Sequence, residues 1–394
     1  MTLSSTPTTP DLTDEWSEVD SPAVSPETGG RILDAWAAGT LVPRDAELPC
    51  DAPPPQAGVG RPPARVAFEG IGESFAAWRL VPNGATELIV RIPWRDVHRM
   101  PQPLSQEPAA LAQLPPGVSI ASVAAALEAD HSPIGMPYLI HERVPGTAKD
   151  PEDWTDADID AHARQLAVLH QVTVPGRGPL RLGGEAYADL LSAPMSIRAE
   201  ADSAFAWWRA EHPQIIGRPG ITDLLEAALE RCRVADEAGH FAALEEFVLV
   251  HGDLGATNVL WLDEDDEIDQ RGWDAPAPPR FIDFEWAQAD DPARDLAIIG
   301  GTVHADPWYV AMNDAQIDRF IGVYAAEVAR LRPDASAACT DPAQLRARRD
   351  AWEVYERTAM LLHVILRAED SPMHAEALPT LHATLARRLG IDPG

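Results

Sequence analysis

Residues 249–261 read LVHGDLGATNVLW, so Asp253 and Asn258 stand five positions apart between two apolar runs. Most turns with Gly and Asp only reverse the chain, and His251-Gly252-Asp253 alone is a weak signal. A second acid, Asp283, closes the later apolar piece PRFID. Phosphoryl transfer needs a carboxylate beside the acceptor hydroxyl and hard oxygen ligands for a cation. Asp253 would accept the hydroxyl proton, while Asn258 and Asp283 would hold Mg²⁺.

Such a set works only if strands hold its members in place. EEFVLVHGDLGATNVLWLDEDDE and PRFIDFEWAQADDPARDLA supply two apolar pieces that bracket an acidic, Pro-rich loop at 263–279. Upstream, RVAFEGIGESFAAWRL (65–80) and ELIVRIP (87–93) read as strands around the turn signal VPNGA, and PYLIHERVPG (137–146) as a further strand. SQEPAALAQLPPG (105–117) has helical composition ended by Pro and Gly. After Pro151 helices dominate: 156–172, 221–239, 313–332, 342–368 and 375–390 carry apolar residues at helical spacing. The expected organisation is α+β, with a β-rich N-lobe at 65–145 and a larger helical C-lobe at 146–394. A disordered leader (1–28) and a poorly ordered extension (29–64) precede them, in which ILDAW (32–36) reads as the start of a short helix and CDAPPPQAGVGRPP (50–63) as a break, and the compact fold starts near Arg65. A small β lobe followed by a helical lobe with an isolated hairpin is the layout of eukaryotic-type kinases.

Bulk properties narrow the function. With 394 residues and 45% hydrophobic content the chain can bury a real core, and its formal charge of −31 argues against binding a nucleic-acid backbone. No run of about 18 apolar residues and no basic-then-apolar N-terminus occurs, so neither a membrane span nor a signal peptide is expected and the cytoplasm is the default. Cys50, Cys232 and Cys339 lack metal or disulfide spacing. Lys149 is the sole lysine among 31 basic residues, so a cation that contacts phosphate is expected to be arginine.

Taken together, HGDxxxxN, a strand ending Ile-Asp-Phe, and Asp-Pro-x-x-Asp-Leu-Ala resemble the aminoglycoside and macrolide phosphotransferase family over roughly residues 65–300. The resemblance implies a two-lobed protein-kinase-like fold, ATP or GTP as nucleoside triphosphate donor, Mg²⁺, and a small-molecule acceptor. It makes Asp253 the catalytic base, Asn258 and Asp283 the metal ligands, and His251 the brace of their loop. Asp291 and Asp295 would anchor the loop after Asp283, with Asp295 at the helix start. The 30-residue spacing from Asp253 to Asp283 exceeds the family pattern, and the loop 263–279 can absorb the excess.

In the N-lobe the family pattern calls for a phosphate loop, a strand-borne cation and a helix-borne Glu. Gly70, Gly72 and Ser74 would form the first, Arg91 the second and Glu107 its ion-pair partner, and the segment Ile140–Arg143 would be the hinge that reads the base. The plain alternatives are a β-turn at 70–75 and an outward-facing strand arginine. Where many kinases have Lys, Arg91 offers a bidentate fork that never deprotonates. The segments IVRIP, LPPGV (114–118) and PYLIHERVPG resemble macrolide 2'-phosphotransferases more than aminoglycoside enzymes. A macrolide is therefore the expected acceptor; an aminoglycoside, an amino alcohol or sugar, and a silent binding module are the alternatives. Phe205, Trp207 and Trp208 are candidates for an apolar acceptor wall or for core, His162 and His170 for core or capping, and Trp286 for packing beside the metal site.

Overall fold

A computed structural model describes residues 21–41, 61–97, 100–119, 122–182, 190, 195–242, 244–262 and 278–392. The expected leader up to residue 20, residues 42–60 of the extension, and 263–277 of the acidic loop lie outside them. Contacts divide the chain into two compact units, one drawn from Met1–Ala112 and Ile120–Arg143, the other from Gln113–Ser119 and Val144–Gly394.

The first unit is an antiparallel five-stranded sheet. Strands β1 (Ala64–Ile71), β2 (Phe75–Pro82), β3 (Leu88–Pro93), β4 (Ser122–Ala126) and β5 (Tyr138–Glu142) are ordered β1-β2-β3-β5-β4. Period-two alternation sends Ala76, Trp78, Leu80, Val90, Ile92, Tyr138 and Ile140 into one core. Alanine-rich β4 has little intrinsic strand preference, which explains why sequence reading passed over it.

Helix α1 (Pro26–Ala38) corrects the expected boundary, because it belongs to this core. It opens on Pro26 and closes on left-handed Gly39, and Ile32, Ala35 and Trp36 form a buried stripe. Gly29 explains the close approach: a Cβ there would stand 3.0 Å from the Trp78 ring and 3.3 Å from Val66 Cγ1. Flanking residues are tied in as well. Trp78 Nε1 donates to the Ala23 carbonyl at 2.8 Å, Tyr138 OH to Leu41 O at 2.8 Å, and Ser21 Oγ to Trp94 O at 3.1 Å. The unit's packing therefore begins near residue 21 rather than Arg65. Helix α2 covers Gln106–Leu111, within the helical stretch read at 105–117 and ending ahead of the Pro and Gly that were expected to stop it.

The second unit is mainly helical. Its helices are α3 (Asp156–Leu169), α4 (Ile197–Glu211), α5 (Pro213–Ile216), α6 (Ile221–Glu237), α7 (Pro292–Ile298), α8 (Asp314–Leu331), α9 (Ala337–Thr340), α10 (Pro342–Arg367) and α11 (Pro372–Leu389). Short strands β6 (Thr147–Ala148), β7 (Thr173–Val174), β8 (Gly178–Pro179), β9 (Phe247–Val250), β10 (Val259–Trp261), β11 (Arg280–Phe281) and β12 (Gln288–Asp290) form two sheets, ordered β7-β9-β12-β8 and β11-β10-β6. A parallel pair, β13 (Gly300–Gly301) and β14 (Val310–Ala311), completes the set. Helix α10 packs against α4, α6, α7 and α11 and buries Arg348, Arg349 and Arg357. Arg357 donates to the carbonyls of Ala297 (2.9 Å), Ile298 (2.8 Å) and Val303 (3.2 Å), satisfying acceptors at the end of α7. Among the described residues no helix is long and apolar enough to cross a membrane.

Candidate active site

Strand β9 is wholly buried and delivers the chain to His251, Gly252 and Asp253. The loop that follows is held through its backbone. Asp295 of α7, fully buried, accepts the N–H of His251 at 2.7 Å and that of Gly252 at 2.9 Å. His170 Nε2 lies 3.2 Å from the same carboxylate, and His170 Nδ1 meets Tyr324 OH at 2.8 Å. Burial opposes charge on Asp295, but His170 and the loop amide of Gly252 outweigh it and hold the pKa below the ordinary value. Sequence reading cast Asp295 as the helix-start anchor. That role falls to Asp291, which caps α7 through the Ala293 N–H at 3.0 Å, while Asp295 reaches back to the loop.

His251 links this loop to the next. The Ile282 carbonyl, 2.8 Å from Nε2, can only accept, so Nε2 carries the proton and Nδ1 accepts from the Asp253 N–H at 3.3 Å. Burial lowers the His251 pKa, consistent with a neutral ring. Gly252 has φ 81°, and a Cβ there would fall 2.4 Å from the Trp286 carbonyl oxygen. Only glycine fits.

Strands β10 and β11 pair Val259 with Phe281, and the Ile282 N–H donates to the Asn258 carbonyl at 3.1 Å. Asn258 and Asp283 therefore leave the same end of one ladder. The Asn258 amide nitrogen donates to Asp253 O at 2.7 Å and lies 3.4 Å from Asp253 Oδ2. Asp283 is the only non-glycine with positive φ among the described residues, at 65°. That conformation costs about 1–3 kcal/mol and recurs at functional sites. One carboxylate and one amide oxygen form a hard, oxygen-only donor pair. No group of three or more His, Cys, Asp or Glu that could cage a metal occurs among the described residues.

Asp253 is exposed, yet protein packed behind it desolvates it, and nearby Asp283 and Glu356 add like charge. Its carboxyl is pushed up to about 7, against Arg294 and the Asn258 hydrogen bond. Water on its open side damps this effect. Glu356, Arg294 and Tyr309 belong to its surroundings and were missed in the sequence, because they lie on α7, α10 and the β13–β14 connection with no motif linking them. Arg294 Nε donates to Glu356 Oε1 at 2.7 Å and Nη1 to Asp290 at 3.1 Å. Tyr309 sits beneath the Arg357 guanidinium at 3.4 Å, next to Trp308, whose carbonyl accepts the Ala256 N–H at 2.8 Å.

The remaining candidates of this unit are core or surface. Phe205 and Trp208 are buried, with Phe205 6.1 Å from Tyr355, whereas Trp207 is 54% exposed beside His212. His162 is a core residue, stacked on Phe320 at 5.8 Å.

In the first unit, Arg91 of β3 and Glu107 of α2 meet: Arg91 Nη1 donates to Glu107 Oε1 at 2.5 Å, and the guanidinium lies 4.3 Å from the Phe75 ring. The 70–75 segment is a tight hairpin turn. The Gly72 N–H is spent on the Phe75 carbonyl at 2.8 Å, so it is not offered to a phosphate. Gly70 has φ 147° with open space at its Cα, and the Ser74 hydroxyl is buried without a protein partner. Ile140 departs from the hinge expectation: its side chain is in the core, and β5 is paired on both sides there, with Val90 and Ala124. Arg143, just past β5, donates its N–H to Glu87 O at 2.8 Å.

Residues 68–334 match the phosphotransferase enzyme family APH. Comparison with curated proteins gave no match. Among solved structures, a candidate aminoglycoside phosphotransferase from Ralstonia eutropha JMP134 is 16% identical with TM-score 0.56, covering 85% of this chain and 93% of its own. An ethanolamine kinase of Plasmodium vivax is 15% identical with TM-score 0.53, covering 82% and 81%. A macrolide 2'-phosphotransferase of Brachybacterium faecium is 17% identical with TM-score 0.49, covering 91% and 98%. The first two likenesses are of fold, α+β and kinase-like. With a family match over most of its length, the chain belongs to the APH phosphotransferase family and is a small-molecule phosphotransferase acting on a hydroxyl.

Proposed function

We propose that the protein transfers the γ-phosphate of ATP or GTP to a hydroxyl of a macrolide, with Asp253 as the base. The carrying observation is the convergence of Asp253 and Asn258, joined by hydrogen bonds, with Asp283 close enough to raise the Asp253 pKa. Asp253 orients the acceptor hydroxyl and takes its proton as the new O–P bond forms and the bond to the departing nucleoside diphosphate breaks. Asn258 and Asp283 suit Mg²⁺, a hard cation that keeps several waters and accepts few protein oxygens. When bound, Mg²⁺ neutralises charge on the transferring phosphate. Arg91, held by Glu107, is the cation assigned to the nucleotide phosphates.

The macrolide reading rests on the IVRIP, LPPGV and PYLIHERVPG resemblances and on charge near Asp253. Among the described residues, Asp283, assigned to metal, and Glu356, paired with Arg294, are the acids that most raise the Asp253 pKa. A polycationic aminoglycoside would need several uncommitted carboxylates, whereas a macrolide presents one amine and a broad apolar ring. The test offers the full chain Mg²⁺, ATP or GTP, and either an erythromycin-type macrolide or a kanamycin-type aminoglycoside. A phosphoryl mass gain on the macrolide is expected. Gain on the aminoglycoside alone overturns the acceptor, and gain on neither favours an amino alcohol or sugar.

A further inference from the structure

The Arg91–Glu107 pair has a third member that the phosphate-binding assignment does not use. Strand register sets Arg91 opposite Leu139 and Ile89 opposite His141, so His141 lies diagonally from Arg91 on the same face of the sheet. That face is opposite the one whose side chains build the core with α1. His141 Nε2 approaches Glu107 Oε1 at 3.9 Å, on the oxygen that already receives Arg91. All three side chains are shielded, with 13% of Arg91, 4% of Glu107 and 11% of His141 exposed. Burial and then the Arg91 charge push the His141 pKa down to about 3, so the ring is neutral.

A neutral imidazole suits this place. A second cation would compete with Arg91 for the carboxylate, and an apolar residue would leave a buried charged oxygen less supported. We propose that His141 is a positioning residue for nucleotide binding: its imidazole backs the Glu107 carboxylate and through it fixes Arg91 on the phosphates. This rests on the nucleotide reading above.

The experiment is a double-mutant cycle on the full chain, with Mg·ATP and Mg·GTP binding followed by calorimetry and acceptor KM by turnover. His141→Leu is expected to weaken nucleotide binding about tenfold, through lost polar backing of the Glu107 carboxylate at 3.9 Å, and to leave acceptor KM unchanged. His141→Gln, which keeps an N–H, should bind within about threefold of wild type. In a Glu107→Gln background His141→Leu should add nothing. A merely structural His141 would instead show its full loss in both backgrounds and no rescue by Gln, which overturns the proposal, as does wild-type affinity in His141→Leu. Wild-type protein that binds neither nucleotide removes the underlying reading, and the proposal with it.

Discussion

Arg91 and Glu107 meet side chain to side chain across a strand and a short helix, whereas Asp253 is aimed almost entirely by backbone. Its loop hangs from two amides on Asp295, a histidine bridging to Ile282, and a glycine packed against Trp286. The first arrangement tolerates chemistry that keeps charge, because a flexible side chain can readjust. The second has no slack, since left-handed backbone at Gly252 and Asp283 fixes where the acids point. Charge identity should govern the first region and backbone geometry the second.

Gly252→Ala tests that contrast most severely. An added methyl must displace the Trp286 carbonyl, and misplacing Asp253 by about 1 Å costs on the order of 100-fold in kcat. Steady-state kinetics showing wild-type kcat would mean the loop is not held as described. Arg91→Ala should raise nucleotide KM by roughly 10–100-fold, matching loss of a charged hydrogen bond, while Arg91→Lys recovers part of it. An unchanged nucleotide KM in Arg91→Ala would transfer the phosphate role to another arginine.

Smaller effects probe α1. Gly30 is exposed with open space, so Gly30→Ala should stabilise by about 0.5–1 kcal/mol through helix propensity. Gly29→Ala gains the same propensity but presses on Trp78, an overpacking cost of about 1–3 kcal/mol. Denaturant titrations should separate the two variants in sign, and equal stabilisation by both would contradict the docking of α1.

Damped by water on the open side of Asp253, the smallest effect is electrostatic. In metal-free protein Asp253 has a folded pKa of about 7, above its ordinary value near 4. The folded state then holds a proton that the unfolded chain releases, so this stabilisation is present below about pH 4 and lost as pH rises through about 7. Asp253→Asn cannot ionise. With EDTA present, the Tm of Asp253→Asn relative to wild type should therefore climb between those values, and a flat difference would contradict the crowding by Asp283.

Legibility in the sequence follows the same divide. The placing of Asp253, Asn258 and Asp283 at strand ends was legible because motif spacing reports strand ends, and the meeting of Arg91 with Glu107 because strand and helix patterns are local. Asp295's grip on His251 and Gly252 could not, since it joins residues 44 and 43 positions apart through backbone amides that carry no side-chain signal. Helix α1 was legible only at 32–36: Gly29 and Gly30 weaken the helical pattern before it, yet Gly29 is what lets the helix reach Trp78. Ile140 lies inside β5 and not at its end, because an apolar run marks a strand without telling which residue ends it.

The central claim is that the Asp253 carboxylate, rather than the fold around it, carries transfer. Single-turnover phosphorylation of a macrolide by wild type and Asp253→Asn, at saturating nucleotide and Mg²⁺, tests it directly. The amide keeps shape and cannot accept the hydroxyl proton, so the rate should fall roughly 10²–10⁴-fold with folding intact by circular dichroism. Equal rates from a folded Asp253→Asn variant would remove Asp253 from the mechanism.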